Sequence, residues 1–295
     1  MTRARRAAIV SGTTILALAC GVAVGAGPLS GSDDDTAQHP GASGKASGKP
    51  DEFVSTFAAD GGAALAKNGL KSVNAVIITL PGAPDTAVNG VSDGLDKAGA
   101  HVTGTVALQP KLLSASNRQF SVGVAEQSAK IKADDYDGDY DVVGSALAEA
   151  FIRKKPAELN DRQRTISSAF VDAGLLATTD APDAAAEMVV FIAGPHAPEG
   201  GGDILASLVK QLNRAGKGAV IAGPGDAGAS GAGSDDDASN GYVQSIRTRD
   251  MDVSTFDKLD SPAGQRAVAL IAIRELKGKS GSYGSETADD GPYPR

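Results

Sequence analysis

The sequence predicts an α/β fold in which an exported domain with a mostly parallel sheet follows a membrane anchor. Short apolar, β-branched segments recur along the chain, and segments with helical periodicity separate them. Hydrophobic residues make up 41% of the chain but aromatic residues only 4%. We therefore expect a core of Val, Ile, Leu and Ala, as in sheets covered by helices. The third observation is the amino terminus, where three arginines precede an uncharged apolar run at residues 7–29.

The run at residues 7–29 is long enough to cross a hydrocarbon core as one helix. The arginines before it and the aspartates at 33–35 after it predict a cytoplasmic amino terminus and an exported remainder. Three alternatives remain open: an uncleaved anchor, a cleaved signal peptide and a lipoprotein signal that uses Cys20. We favour the anchor because Ala17 stands where lipoprotein signals usually carry leucine, and because the apolar run continues past Cys20.

Composition divides the chain into four segments. Residues 1–30 are the predicted signal anchor. Residues 31–70 are rich in Gly, Ser, Asp and Lys, which predicts a disordered linker that ends in a short helix. Residues 71–277 form the predicted exported α/β domain. We expect the polar residues 278–295 to form a disordered tail.

The first half of the domain predicts one strand–helix–strand unit. Its strands are expected at residues 73–80 and 101–108, and its helix at residues 87–98. Residues 114–176 look predominantly helical, with an acidic interruption at residues 134–141. The glycine in that interruption does not match the position required in an EF-hand loop, so we interpret it as a solvated loop.

The second half predicts another such unit, with strands at residues 188–194 and 218–223 around a helix at residues 204–212. Glycine-rich loops at residues 194–202 and 223–241 follow the two strands. Because ligands of open α/β sheets bind beyond the carboxyl ends of strands, both loops are candidates. No convergent chemistry accompanies them, and surface loops without a ligand are the alternative.

The last elements are predicted in the region after residue 241. Residues 242–247 resemble a strand, and residues 253–260 resemble a connector. Ser261 and Pro262 predict the start of a helix that runs through Leu276.

A resemblance to a known family rests mainly on residues 254–284, STFDKLDSPAGQRAVALIAIRELKGKSGSYG, with support from the small-residue anchor and the two strand–helix–strand halves. This pattern resembles the actinobacterial MctB family of copper-transport proteins, to which a corynebacterial cell-separation factor is related. The resemblance implies a cell-envelope protein, anchored or associated with the outer membrane, with a role in copper homeostasis or cell-division control. Family members usually carry a coiled coil where this chain has its linker.

The residues argue against several other functions. The net charge of −8 argues against nucleic acid as a partner, because phosphate binding requires basic patches. Cys20 is the only cysteine, which excludes an intrachain disulfide and a metal centre built from cysteines. The sequence has no nucleophile elbow, no Cys/His pair and no His-Glu-x-x-His run, so we expect neither an enzyme nor a bound cofactor.

Copper would find few ligands in this chain. Copper(I) favours thiolate and thioether ligands, and copper(II) favours imidazole and carboxylate. Met188 and Met251 lie far apart in sequence, and His101 is expected to be a hydrogen-bonded structural residue on a strand. His196, beside Pro195 in a strand-end loop, is the one candidate metal ligand that we name. The resemblance leaves copper possible as a transported ion, and the residues give no evidence of copper as a bound cofactor.

Two hypotheses from different classes remain. The first is an envelope protein of copper efflux and homeostasis. The second is a non-enzymatic scaffold that binds a membrane partner or regulates a cell-wall hydrolase during cell separation. The partners considered are an envelope or membrane protein and a second copy of the chain, because one anchor helix forms a channel only if the chain oligomerises.

Overall fold

The computed structural model describes Phe57 and residues 66–229, 241–285 and 288–294. The anchor predicted at residues 1–30 lies outside these residues, as does most of the linker predicted at residues 31–70. Within the described ranges, no helix combines the length and apolar character that crossing a membrane would require.

A seven-stranded sheet forms the centre of the domain. The strands in chain order are β1 (Asn74–Thr79), β2 (His101–Leu108), β3 (Ala157–Glu158), β4 (Leu176–Asp180), β5 (Ala184–Ala185), β6 (Met188–Ile192), β7 (Ala219–Ala222), β8 (Ser254–Phe256) and β9 (Ser282–Tyr283). Their order in the main sheet is β4-β2-β1-β6-β7-β8-β9. All neighbours are parallel except β2 and β4, while β3 and β5 form a separate antiparallel pair.

Helices cover both faces of this sheet. They are α1 (Asp85–Lys97), α2 (Arg118–Ala129), α3 (Asp139–Phe151), α4 (Asp161–Asp172), α5 (Gly201–Ala215), α6 (Tyr242–Arg247) and α7 (Pro262–Glu275). Side chains of β6 alternate between the two cores, because successive residues of a strand face opposite sides. Phe191 belongs to the core that includes residues of α2 to α6, whereas Val190 belongs to the core that includes residues of α1 and α7.

The predicted α/β class and both strand–helix–strand units are confirmed. The first unit is β1-α1-β2, and the second is β6-α5-β7, and the two share one sheet because β1 pairs with β6. The predicted start of α7 is also confirmed, since the Ser261 side chain accepts a hydrogen bond from the Gly264 amide and Pro262 occupies the first turn.

Two predictions about the region after residue 241 are wrong. Residues 242–247 form a helix and not a strand, because Tyr242, Val243 and Ile246 recur with helical spacing and are all buried. Six residues are too few for periodicity to separate the two structures. The predicted connector at 253–260 contains β8, which pairs with both β7 and β9.

The prediction of a disordered tail at residues 278–295 is also wrong for the described part of that segment. Its strand β9 extends the sheet in parallel with β8. Tyr283 and Tyr293 are buried in the core beneath α1 and α7, and the Tyr293 ring meets the Phe57 ring edge-on at 5.3 Å. Aromatic burial and a buried ion pair described below hold a segment that is polar in overall composition.

Candidate functional site

Backbone contact closes the carboxyl edge of the sheet between β1 and β6, where the first candidate loop begins. The chain leaves β1 towards β2 and leaves β6 towards β7, so this is the topological switch point of the sheet. Gly194 lies so close to the turn after β1 that a Cβ at this position would overlap the carbonyl oxygen of Pro81. The Leu80 amide also donates to the Ile192 carbonyl at 2.9 Å. The loop at 194–202 therefore begins against the neighbouring turn.

The second candidate loop is packed at both of its described ends. The Gly223 amide donates to the Phe256 carbonyl at 2.9 Å, and the Gly225 amide donates to Asp260 Oδ2 at 2.8 Å. A Cβ at Gly241 would overlap the Ala227 carbonyl oxygen. Residues 230–240 of this loop lie outside the described ranges.

The structure does not bring the candidate copper ligands together. His196 is exposed after β6 at the carboxyl edge, whereas Met251 is half-buried before β8 at the amino edge. Met188 is fully buried inside the core beneath α1 and α7. In the part of the chain that the structure covers, no group of three or more His, Cys, Asp or Glu is placed to hold a metal ion. The role of His196 as a ligand stays a prediction, and Cys20 lies outside the described residues.

His101 has the hydrogen-bonded role that its position on a strand predicted. Its Nε2 lies 3.1 Å from Oδ1 of Asp183 and 3.2 Å from Oδ2. Both side chains are more than half exposed. The contact links the start of β2 to the loop between β4 and β5.

A buried ion pair that the sequence did not reveal lies at the carboxyl end of β8. Asp257 is fully buried, and its Oδ2 lies 2.6 Å from Nη1 of Arg247, the last residue of α6. The Ser285 amide donates to Asp257 Oδ1 at 2.7 Å, and the Ser285 hydroxyl donates to Oδ2 at 2.7 Å. One carboxylate therefore connects β8, α6 and the carboxyl-terminal segment.

The same guanidinium makes two further contacts. Arg247 Nη2 donates to the Tyr283 carbonyl at 2.6 Å, and its Nε donates to Thr255 Oγ1 at 3.1 Å. A Cβ at Gly228 or at Gly284 would overlap the Asp257 carboxylate. Protein atoms surround this carboxylate and donate hydrogen bonds to it, so its role is structural. We call Arg247, Asp257 and Ser285 the carboxyl-terminal clamp. The sequence signal was an acidic residue directly after a short β-branched segment.

The amino edge of the sheet carries buried acids near open clefts. Glu187, before β6, is buried and ion-paired with Lys217. Glu275, at the end of α7, accepts hydrogen bonds from the hydroxyls of Ser254 and Ser280. Burial raises the pKa of Glu275, and these hydrogen bonds offset part of that rise.

A cleft of about 730 Å³ opens at this edge, and we call it the amino-edge cleft. Five cationic side chains and two acidic side chains line it. They are Lys154, Arg214, Lys217, Arg274 and Lys279, with Asp252 and Glu275. This balance is the reverse of the chain as a whole, whose net charge is −8.

A second cleft, of about 600 Å³, lies between α5 and the loop before β8. Asp141 and Met251 line it, but so do Lys210 and Arg249. Lys210 Nζ lies 3.1 Å from Asp141 Oδ2, and Arg249 is ion-paired with Asp203. Its charges are thus largely neutralised within the protein.

Tyr242, at the start of α6, is a buried titratable side chain of the core. Burial raises the pKa of its hydroxyl to about 12. The phenol therefore stays protonated at neutral pH, which suits a core residue and not a nucleophile.

Comparison with known proteins gives one family. A family model described as "MctB: Copper transport outer membrane protein, MctB" matches residues 1–294 of the chain. A comparison with curated proteins gave no match.

Proposed function

We propose a role in copper efflux and homeostasis for this chain, which belongs to the MctB copper transport outer membrane protein family. At the level of the family it is a copper-transport-related protein of the cell envelope. The observation that carries the proposal is the family match, which extends over residues 1–294. In this proposal copper is the ion whose passage the protein supports and not a resident cofactor.

The proposal includes an anchor at residues 7–29 that keeps the α/β domain outside the cytoplasm. Its support is the pattern of three arginines, an uncharged apolar run and three aspartates. Protease added to spheroplasts, from which the outer envelope has been removed, should digest the domain, whereas a tag placed before Arg3 should resist digestion. A domain that resists protease in spheroplasts but not after lysis would contradict this orientation.

A strain that lacks the protein tests the copper role directly. We expect it to accumulate more copper than its parent when external copper rises, and the intact gene should restore the parental level. A second complementing gene with His196→Ala tests the one predicted ligand. His196 is exposed, so its replacement should leave the fold intact. Equal copper contents in the deletion strain and its parent would overturn the proposal.

A non-enzymatic scaffold in cell separation is the second candidate function. The observation that favours it is the closed carboxyl edge, where Gly194 packs on Pro81 at the position that binds small ligands in many α/β enzymes. A domain of this kind would act through its surface, on an envelope protein partner or a cell-wall hydrolase.

Microscopy of the same deletion strain separates the two functions. The scaffold predicts chains of unseparated cells even in copper-limited medium, together with an envelope protein that co-purifies with the intact chain. Normal separation and no co-purifying protein would remove this candidate. A separation defect that appears only when copper is raised would assign the defect to copper.

A further inference from the structure

We propose that the amino-edge cleft binds a phosphate group, either as a free phosphate compound or as the headgroup of an anionic lipid. This binding site is separate from the copper role, because a cleft dominated by positive charge repels metal cations.

The cations of the cleft come from five separate positions of the fold. Lys154 follows α3, Lys217 precedes β7, and Lys279 precedes β9. Arg214 and Arg274 lie in the last turns of α5 and α7. Because these helices return antiparallel to the strands, their ends and the loops that follow them meet at the amino edge.

Protein contacts neutralise only part of this charge. Lys217 is ion-paired with buried Glu187. Lys154, Arg214 and Lys279 are exposed, and their side chains make no ion pair or hydrogen bond among the described residues. Of the two acids, Glu275 is buried and its pKa is raised, so it opposes an anion less than an exposed carboxylate would.

Helix ends alone do not account for the cluster. Cations stabilise the carboxyl ends of helices, which carry partial negative charge, and this explains Arg214 and Arg274. Lys154, Lys217 and Lys279 lie outside the helices, in three different connections. Their convergence on one cleft is the feature that indicates a ligand.

The chemistry of these side chains and the size of the cleft favour phosphate. A guanidinium offers paired donors to phosphate oxygens, and ammonium groups act as mobile point charges around it. The cleft is larger than one phosphate needs, since its volume is about 730 Å³. It therefore has room for the alcohol to which a phosphate is esterified.

The test compares two double variants of the full chain in neutral detergent. The cleft variant is Lys154→Gln with Lys279→Gln, and the control variant is Lys97→Gln with Lys132→Gln. All four lysines are exposed, and both variants change the net charge equally, but Lys97 and Lys132 do not line the cleft. Calorimetric titration with inorganic phosphate and with glycerol phosphate, at constant ionic strength, measures binding to each protein.

We expect the cleft variant to bind these phosphates at least about tenfold more weakly than the parent, while the control variant binds as the parent does. A second titration uses short-chain phosphatidylglycerol, with short-chain phosphatidylcholine as the neutral comparison. Tighter binding of phosphatidylglycerol, displaced by glycerol phosphate, identifies a lipid headgroup as the ligand. Binding of the soluble phosphates without a preference for phosphatidylglycerol identifies a free phosphate compound.

Two results would overturn the proposal. One is a parent protein that binds none of these phosphates. The other is equal binding by the cleft and control variants, which would mean that overall charge attracts the anion. Unchanged circular dichroism in both variants shows that the fold is intact, and the copper content of deletion strains is a separate readout that this result does not affect.

Discussion

Replacing Arg247 with methionine should destabilise the domain strongly, because it leaves the Asp257 carboxylate buried without its counter-ion. Methionine keeps the apolar length of the side chain and removes the guanidinium. The replacement removes the 2.6 Å contact with Asp257 Oδ2, the 2.6 Å hydrogen bond to the Tyr283 carbonyl and the 3.1 Å hydrogen bond to Thr255. The two hydrogen bonds from Ser285 to Asp257 remain.

The magnitude follows from the burial of both partners. The side chain of Arg247 is 7% exposed and that of Asp257 is 1% exposed. Removal of one partner from a buried ion pair costs about 3–5 kcal/mol of the free energy of unfolding. With a urea dependence of about 2–3 kcal/mol per molar for a domain of this size, the urea midpoint should fall by roughly 1–2 M.

Urea unfolding followed by circular dichroism measures this change, since the chain has no tryptophan. The matched control is Arg118→Met, which removes an ion pair of similar geometry at the surface. Arg118 Nε lies 3.0 Å from Asp139 Oδ2, but the two side chains are 56% and 45% exposed. Exposed pairs contribute about 0–1 kcal/mol, so the control should shift the midpoint little.

A double variant distinguishes the direct interaction of Arg247 and Asp257 from nonspecific destabilisation by either substitution. Asp257→Asn preserves the shape of the carboxylate and removes its charge. Because the two side chains interact directly, Arg247→Met with Asp257→Asn should cost less than the sum of the two single changes, by about 1–3 kcal/mol. If Arg247→Met and Arg118→Met lowered the free energy of unfolding equally, or if the double variant were strictly additive, the buried Arg247–Asp257 pair would not hold the carboxyl-terminal segment as argued.

Three further predictions follow from other contacts, and urea or thermal unfolding of the full chain tests each of them. Gly194→Ala should lower stability by about 1–3 kcal/mol, because its methyl group meets the Pro81 carbonyl, whereas Gly123→Ala, with open space around it, should not destabilise. Truncation after Gly278 should lower the urea midpoint more than Arg247→Met does, because it removes the Ser285 donors together with buried Tyr283 and Tyr293. An equal or smaller fall in the urea midpoint would show that the segment after Gly278 contributes little to stability. The raised pKa of Glu275 means that the folded state holds the proton of this carboxyl more tightly than the unfolded state does. The contribution of Glu275 to stability therefore falls as pH rises from its unfolded pKa to its folded pKa. Glu275→Gln should remove that pH dependence, and an unchanged pH profile of the free energy of unfolding would contradict the prediction.

Local patterns predicted the centre of the fold well. Strands β1, β6 and β7 are mainly apolar segments because both faces of the sheet are covered, and β2 alternates between apolar and polar residues. Helix α1 shows the same clarity, since its buried residues repeat with helical spacing. In these segments local preference and tertiary environment agree, which is why sequence alone was sufficient.

The region after residue 241 could not be predicted in the same way, because its structure depends on contacts distant in sequence. Strand β9 is two residues long and exists by pairing with β8. Asp257 holds Ser285, which is 28 residues away, and Tyr293 packs on Phe57 from the other end of the domain. A single sequence gives no measure of such pairings, and the polar composition of the segment by itself predicts disorder.

The candidate sites divide between the two edges of the sheet for a related reason. A general rule about α/β sheets makes the loops at the carboxyl edge candidates for a ligand site, and here the close approach of Gly194 to Pro81 fills that position. The cationic cleft at the amino edge could not be found from sequence, because Lys154, Lys217 and Lys279 are separated by long stretches of chain. Only the antiparallel return of the helices brings these lysines together.

This division bears on how the copper role can be tested. A metal cation has no electrostatic reason to enter the amino-edge cleft, so copper handling and phosphate binding should respond to different substitutions. Lys154→Gln with Lys279→Gln should leave copper content normal while it weakens phosphate binding. Arg247→Met should impair both, because it destabilises the whole domain that presents them. If the lysine variant alone raised cellular copper, the cleft would take part in copper handling, and phosphate binding and copper handling would not be separate functions.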